Sequence, residues 1–488
     1  MDAHWTSDSP ETLETEALAA PLFELDGDES PDSTVDAWTG GLLAELYESG
    51  EFSGKANETL LIQRPEGVSA RRLLLVGVGK RSSASADSAR DMAGAAGRRL
   101  RGKGVSQLAV ALLPGFDTGA QGQAIAEGLA LSQYQPDTYM TKEKTDSVIT
   151  KLLLIGDGSA NAVENGLAVA EAQNFARELV NEPGNLLPPR ILAERAMTLD
   201  QEPNLEVEVI KRKGLEDLGM GALLGVAQGS AEPPRLIIVR YRPEGEPTSD
   251  LHLGLVGKGV TFDTGGISIK PSADMDRMKN DMAGGAAVLG AMKAIASLKP
   301  SIAVTAIVPS VENMPSSNAQ RPGDVVTTLS GKTVEILNTD AEGRLILADA
   351  LTYAQQIGCN RLVDAATLTG AIVVALGYER AGLFANDDDW QSTLENAASG
   401  AGEKLWSMPL DDEYRAQLKS GIADIPNIGS RWGGASTAAA FLKEFADPTP
   451  WAHLDIAGVA WLEESKPAMP KGPSGFGVRL FVELAMNM

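Results

Sequence analysis

The chain holds a single cysteine, Cys359, and three histidines, His4, His252 and His453, among its 488 residues. One cysteine excludes an intrachain disulfide and suits a reducing compartment. Three scattered histidines are too few for the usual histidine-based zinc site. Basic residues are short as well: 42 Lys and Arg face 66 Asp and Glu, for a formal net charge of −24 and a pI of about 4.6. Such a chain repels phosphate backbones, so nucleic acid is a poor partner unless basic residues gather on one face. The longest charge-free apolar run, Ala365 to Tyr378, is shorter than the roughly 20 residues a spanning helix needs. The start, Met1 to Trp5, lacks the basic and apolar stretches of a secretory signal. A soluble, cytoplasmic protein is expected. The sequence has no internal repeat and no low-complexity segment.

What is present suits an α/β protein. Hydrophobic residues make up 43% of the chain, enough for sizeable cores, and the length suits two domains. Residues 1 to about 35 read as a loose start with one edge strand. Strand patterns follow at Thr59–Ile62, Leu73–Val78, Leu108–Leu112 and Leu152–Ile155, separated by Ala-rich helical runs at Asp87–Arg101 and Gln121–Leu131. Gly77-Val78-Gly79-Lys80 invites a phosphate-loop reading, but a Walker loop needs glycine where Leu74 stands, and a tight strand-to-helix turn is preferred. A long helix from about Ala160 to Val180 ends at Asn181-Glu182-Pro183-Gly184-Asn185, and Pro188-Pro189 opens the second half with a rigid turn. Beyond Arg190, strands at Leu205–Ile210, Leu236–Tyr241, Leu253–Gly257, Ala303–Val308, Thr333–Leu337 and Leu362–Ala366 alternate with helices. A mostly parallel sheet with its site at the strand carboxyl ends is expected. The expected organisation is a smaller N-terminal α/β domain (1–159), a connecting helix and turn (160–190), and a larger C-terminal α/β domain (191–488) with a mostly parallel central sheet.

Charge concentrates in two stretches of that larger domain. Asn338-Thr339-Asp340-Ala341-Glu342-Gly343-Arg344-Leu345 lies between a strand pattern and a helix pattern. Residues two apart on an extended chain point the same way, so Asp340 and Glu342 can present two carboxylates to one site, with Arg344 at the helix start. Upstream, Gly257-Lys258-Gly259-Val260-Thr261-Phe262-Asp263-Thr264-Gly265-Gly266 is followed by Lys270 and by Met278-Lys279-Asn280-Asp281. Together these supply four carboxylates, Asp263, Asp281, Asp340 and Glu342, with Lys258, Lys270 and Arg344, around glycines that let backbone approach closely. Carboxylates this close need something cationic opposite them. Lys279, Asp274 and Asp276 are expected to be solvated.

These blocks resemble the leucyl aminopeptidases of the dinuclear-metal type. NTDAEGRL is similar to that family's signature, and GKGVTFDTGG, the KNDMAG segment, DAATLTGA, WAHLDIAG and GPSGFGVRL look like its other blocks in the same order, over roughly residues 170 to 488. No ligand in these blocks is replaced. The connection matches the family's Asn-x-Pro-x-Asn pattern at Asn181, Pro183 and Asn185. Arg431, Trp432, Gly433 and Gly434 depart from it, in a loop where small residues are expected.

Charge arithmetic agrees: four carboxylates are neutralised by two divalent cations if any lysine ligand is uncharged. The resemblance implies that Asp263 and Glu342 touch both ions, that Asp340 serves one, and that Lys258, as a neutral amine, and Asp281 serve the other. It implies an oxyanion role for Lys270 and a bicarbonate on Arg344 as proton acceptor, since no side chain in the blocks is an evident general base. Met278, Thr367, Leu368 and Gly370 resemble the substrate-pocket wall, with the Leu368 carbonyl receiving the peptide. Oxygen ligands with one amine suit Mn²⁺, Mg²⁺, Co²⁺ or Zn²⁺, with Mn²⁺ or Zn²⁺ preferred. His453 is expected to be a hydrogen-bonded core residue. The implied function is release of N-terminal residues, with a leucine-like preference, in intracellular peptide turnover by a homohexamer. A two-metal phosphoesterase and a non-enzymatic DNA-binding or scaffold role are the alternatives.

Overall fold

The computed structural model describes residues 1–488 except 28, 143–147, 246–249 and 467–468. The chain divides into two compact units, Met1–Glu171 with Glu463–Gly472, and Ala172–Leu462 with Pro473–Met488. The division falls within the helix Ala160–Asn181.

The first unit is built on β1 (Asp2–Thr6), β2 (Ala17–Phe23), β3 (Thr59–Gln63), β4 (Arg72–Gly79), β5 (Gln107–Ala111) and β6 (Lys151–Ile155). They form one sheet in the order β1-β6-β5-β2-β4-β3, parallel except for the β3–β4 pair. One apolar cluster packs Leu74, Val76 and Val110 against the helices Ala86–Leu100 and Thr118–Ser132. Another packs Leu18, Leu73 and Leu75 against Trp38, Leu43 and Phe52. The expected loose start holds two strands. β1 is the edge, but β2 is central and almost wholly buried. Its sequence, ALAAPLF, is alanine-rich and carries Pro21, so neither its propensities nor its pattern marks a strand.

The second unit carries, in chain order, β7 (Leu205–Lys211), β8 (Arg235–Tyr241), β9 (His252–Gly257), β10 (Gly259–Asp263), β11 (Ala303–Asn313), β12 (Val325–Thr327), β13 (Thr333–Glu335), β14 (Arg361–Ala366), β15 (Ala381–Ala385), β16 (Leu405–Ser407), β17 (Ile425–Pro426) and β18 (Trp451–Asp455). Nine of them form the main sheet, ordered β16-β15-β18-β14-β9-β11-β8-β7, with β10 on β11. The pairs around β9 and β14 are parallel, and β8 and β15 bring in the antiparallel pairs. The fold is therefore mixed α/β with mostly parallel sheets, as the alternation of patterns indicates. One strand is misplaced by that pattern: β13 belongs to a separate three-stranded sheet, β12-β13-β17. Its local alternation signals an extended segment but carries nothing about which strands it pairs with. Among the described residues, no helix is long and apolar enough to cross a membrane.

Candidate active site

The predicted charged residues converge at the carboxyl ends of the central strands. β9 ends at Gly257 and β10 begins at Gly259, which leaves Lys258 at their join. Its N–H donates to Ala365 O at 3.0 Å and its carbonyl accepts from Gly285 N at 2.8 Å, so the end of β14 and the helix Ala283–Leu298 both hold it. β10 pairs with β11 through a register shift between Val260 and Phe262 and ends on Asp263. A bulge there re-aims the residues that follow it. The short helix Met275–Asn280 delivers Asp281. Asp340 lies in a turn with Thr339, Glu342 is the residue before the helix Gly343–Gln356, and Arg344 sits in its first turn.

Carboxylate oxygens of Asp263, Asp340 and Glu342 lie within 4.8 Å of one another. Asp340 and Glu342 do present together, but through a turn: Glu342 has helical φ −81° and ψ −34°, not the extended backbone inferred from the sequence. Lys258 Nζ is 2.7 Å from Asp281 Oδ1 and 2.8 Å from Glu342 Oε1, and donates to Thr367 O at 3.0 Å. Gly343 makes room for it, since a Cβ there would stand 2.6 Å from Lys258 Cε. Lys270 Nζ is 2.8 Å from Asp263 Oδ2 and also pairs with Asp340 Oδ1. Asp263 Oδ1 accepts from Gly265 N and Asn313 Nδ2, both at 2.8 Å.

Burial governs the electrostatics. Lys258, Asp263, Asp281 and Glu342 are each at most 5% exposed, so water does little to screen them. Burial raises the pKa of Asp281, with Glu342 and Asp263 adding to the rise and Lys258 opposing it. Burial likewise raises Glu342 and Asp340. Burial disfavours a charged Lys258, but Asp281, Glu342 and Asp263 outweigh it and hold the ammonium above the ordinary lysine range. Lys270 is shifted the same way, with Asp263 the largest carboxylate contribution. Arg344, buried, is lowered to about 10 by desolvation, with Glu342 and Asp455 opposing, so it stays charged at neutral pH.

When all four carboxylates are ionised they carry one more negative charge than Lys258, Lys270 and Arg344 together carry positive. The buried Asp281 Oδ2 and Glu342 Oε2 receive no hydrogen bond among the described residues. Buried oxygens in this state are costly unless a cation satisfies them, so this oxygen-rich set fits divalent metal. Arg344 Nη1 donates to Asn427 O at 2.9 Å while its buried Nε has no hydrogen-bond partner among the described residues, which leaves a donor for an anion.

The expected pocket wall lies close by in part. Thr367 is bonded to the cluster itself, its Oγ1 donating to Asp281 Oδ1 at 2.7 Å. Leu368 N and Thr369 Oγ1 donate to the two oxygens of the buried Asp455, at 3.2 and 2.6 Å. Met278 is half-buried and its carbonyl accepts from Asp281 N at 3.4 Å. Gly370 opens the helix Gly370–Leu376 on the exposed side. His453 is fully buried, its Nδ1 2.6 Å from Asp364 Oδ1, beside the rings of Phe384 and Trp451, as expected for a core histidine. Asp274 and Asp276 are exposed. Lys279 differs from expectation: it is half-buried, donates to Asn181 O at 2.5 Å, lies 5.8 Å from the Trp461 ring centroid, and has its pKa lowered by burial. Trp432 is 76% exposed beneath the Arg431 guanidinium.

Sequence reasoning missed Asn313, Asn427 and Asp455. Asn313 bridges Asp263 to Thr339 O, at 2.8 and 3.0 Å, and Asn427 grips the loop that carries Asp340. Asparagine is common in turns, and these two stand far in sequence from what they hold, so no local pattern marks them.

Buried carboxylates that call for a divalent cation, gathered at the carboxyl ends of a mostly parallel sheet, define a candidate metal centre. The catalytic-domain model of the cytosol aminopeptidase family matches residues 174–482, and that family's N-terminal-domain model matches residues 21–143. A probable cytosol aminopeptidase of Solibacter usitatus is 54% identical, with 97% of each chain covered. One from Acidobacterium capsulatum is 50% identical, with 96% of each covered. Among solved structures, a mutant of tomato leucine aminopeptidase superposes with a TM-score of 0.90 at 34% identity, covering 100% of this chain and 97% of that one. The bottromycin maturation enzyme BotP in complex with Mn gives 0.86 at 35% identity, covering 97% and 99%. The chain belongs to the cytosol aminopeptidase family, and it is a metal-dependent aminopeptidase, a hydrolase of peptides.

Proposed function

We propose that this aminopeptidase releases N-terminal residues, with a leucine-like preference, using two divalent ions. In this reading Asp263 and Glu342 would serve both ions, Asp340 would serve one, and Lys258 and Asp281 would serve the other. The observation that carries it is the pair of buried carboxylate oxygens without donors in a cluster short of positive charge. When bound, such ions acidify a water nucleophile and polarise the scissile carbonyl. The chain's residues supply the rest. Lys258 at the β9–β10 join would donate as a neutral amine, the reverse of its state when carboxylates are its only partners. Lys270, 22% exposed at the edge of the cluster, would donate to the developing oxyanion. Arg344, with a fork that suits a planar anion, would hold bicarbonate as proton acceptor. Met278, Thr367, Leu368 and Gly370 would wall the pocket for the N-terminal side chain.

Mn²⁺ is the favoured ion, since BotP is described in complex with Mn, and Zn²⁺ the second. The leucine-like preference is supported by the similarity to tomato leucine aminopeptidase. A homohexamer in cytoplasmic peptide turnover completes the proposal, and a light-scattering mass equal to the 51.2 kDa chain would remove the hexamer. The deciding experiment is elemental analysis of the purified protein with hydrolysis of leucyl, methionyl, cysteinyl-glycine and phosphoester substrates. Two equivalents of metal with leucyl turnover are expected. Full peptidase activity in metal-free protein, or turnover of the phosphoesters alone, would overturn the reading.

A further inference from the structure

Among the buried polar groups that this mechanism leaves unused, Asn427 grips the backbone of the loop that carries Asp340 and leads to Glu342. It follows β17 and is fully buried, with its N–H donating to Glu335 O at 2.9 Å. Its side-chain oxygen accepts from Leu337 N at 2.8 Å and Asn338 N at 3.3 Å. Its amide nitrogen donates to Asn338 O at 2.7 Å and Ala341 O at 3.4 Å. One side chain thus takes both donors and both acceptors from the two ends of a loop only a few residues long. That loop contains Asp340 and leads into Glu342. The backbone carbonyl of the same residue receives Arg344 Nη1 at 2.9 Å.

We propose that Asn427 is a positioning residue that holds Asp340 and Glu342 in their metal-binding geometry and aims the Arg344 guanidinium. The inference rests on the reading of Asp340 and Glu342 as metal ligands. The physical reason is specific to an amide. A primary amide offers an acceptor and two N–H donors on one planar group; ionised aspartate keeps the contacts to Leu337 and Asn338 N–H but sets an oxygen against the Asn338 and Ala341 carbonyls, and protonated aspartate can donate to only one of them. Alanine removes all four contacts and leaves partly buried backbone groups of the loop unpaired. Ligand loops held this way lose about 10–100-fold in metal affinity or activity when the supporting group is removed.

Asn386 is the control. It also uses its amide to staple backbone, accepting from Trp451 N at 2.7 Å and donating to Thr449 O at 2.9 Å, with no bond to the metal cluster. The experiment measures Mn²⁺ binding by calorimetry, kcat and KM on a leucyl substrate, and melting temperature, for Asn427→Ala, Asn427→Asp, Asn427→Ser and Asn386→Ala. Expected is a 10–100-fold loss in Mn²⁺ affinity and in kcat, with KM changed less than about threefold, for each Asn427 variant that folds. Asn386→Ala is expected to lower the melting temperature alone. Asn427 variants with wild-type affinity and kcat beside a metal-deficient Asp340→Ala would overturn the inference and spare the proposed function. Wild-type metal binding by Asp340→Ala would overturn both.

Discussion

Each unit has a glycine-rich strand end with a lysine in it, and the two do opposite things. In the first unit, Gly77-Val78-Gly79-Lys80 closes β4; a Cβ on Gly77 would meet Lys55 O at 2.0 Å, and Gly79 turns with φ +79°. A 3-10 turn at Arg81–Ser83 comes next, and the α-helix begins at Ala86 with Ser85 Oγ accepting from Asp87 N at 3.2 Å, so its first turn is already capped. Lys80 is exposed, and the segment is the tight turn that the missing glycine at Leu74 indicates. In the second unit, Gly257-Lys258-Gly259 joins two strands of the main sheet, and Lys258 is buried between Asp281 and Glu342. The local sequences are alike. What separates them is the arrival of carboxylates from segments up to 84 residues away, 342 minus 258, which makes burial of the second lysine tolerable.

The sharpest break in this comparison is removal of the distant carboxylates. Asp340→Ala or Glu342→Ala is expected to abolish peptide hydrolysis and lower metal content, read by substrate assay and elemental analysis of the same sample. The next test separates the two active-site lysines. Lys270→Ala should keep both metals while kcat falls about 10²–10³-fold, the usual loss of one oxyanion donor. Lys258→Ala should lower occupancy at one of the two positions. Loss of metal from the first variant alone would reverse these roles.

Glycine substitutions sharpen the contrast between the units. At Gly343 the added methyl meets only the flexible end of Lys258, so Gly343→Ala should weaken metal binding with little change in melting temperature. At Gly77 it meets backbone, so Gly77→Ala should cost about 1–3 kcal/mol of stability while kcat per folded molecule holds. A denaturant titration beside a metal titration distinguishes the two, and equal stability losses would break the comparison. The smallest effect belongs to Lys80→Ala, expected within about 0.5 kcal/mol of the parent in stability and unchanged in activity. A large loss of activity there would show that the first turn had been misread.

Much of the fold and site was legible in the sequence, for definite reasons. Strand and helix periodicities set out the α/β alternation. The blocks containing Lys258, Asp263, Lys270, Asp281, Asp340, Glu342 and Arg344 are legible because residue type and order show which side chains can carry charge or donate a lone pair, even before their neighbours set the charge state. Strands β2 and β18 were invisible for the converse reason. Ala17–Phe23 has a helix former's composition, and Trp451–Asp455 buries His453 and Asp455 in a strand where polar residues suggest a surface. Both become strands because neighbours on each side pair their backbones and both of their faces are buried.

What the sequence by itself determined, then, is which groups could do chemistry and in which broad fold. Only the tertiary structure decided how they meet: the turn at Thr339–Asp340 that swings Glu342 beside Lys258, the assignment of β13 to a separate small sheet, and the grip of Asn313, Asn427 and Asp455 on loops remote in sequence. Hydrogen bonds between residues 26 to 90 positions apart leave no local periodicity, so they exist only once the sheet has brought their elements together.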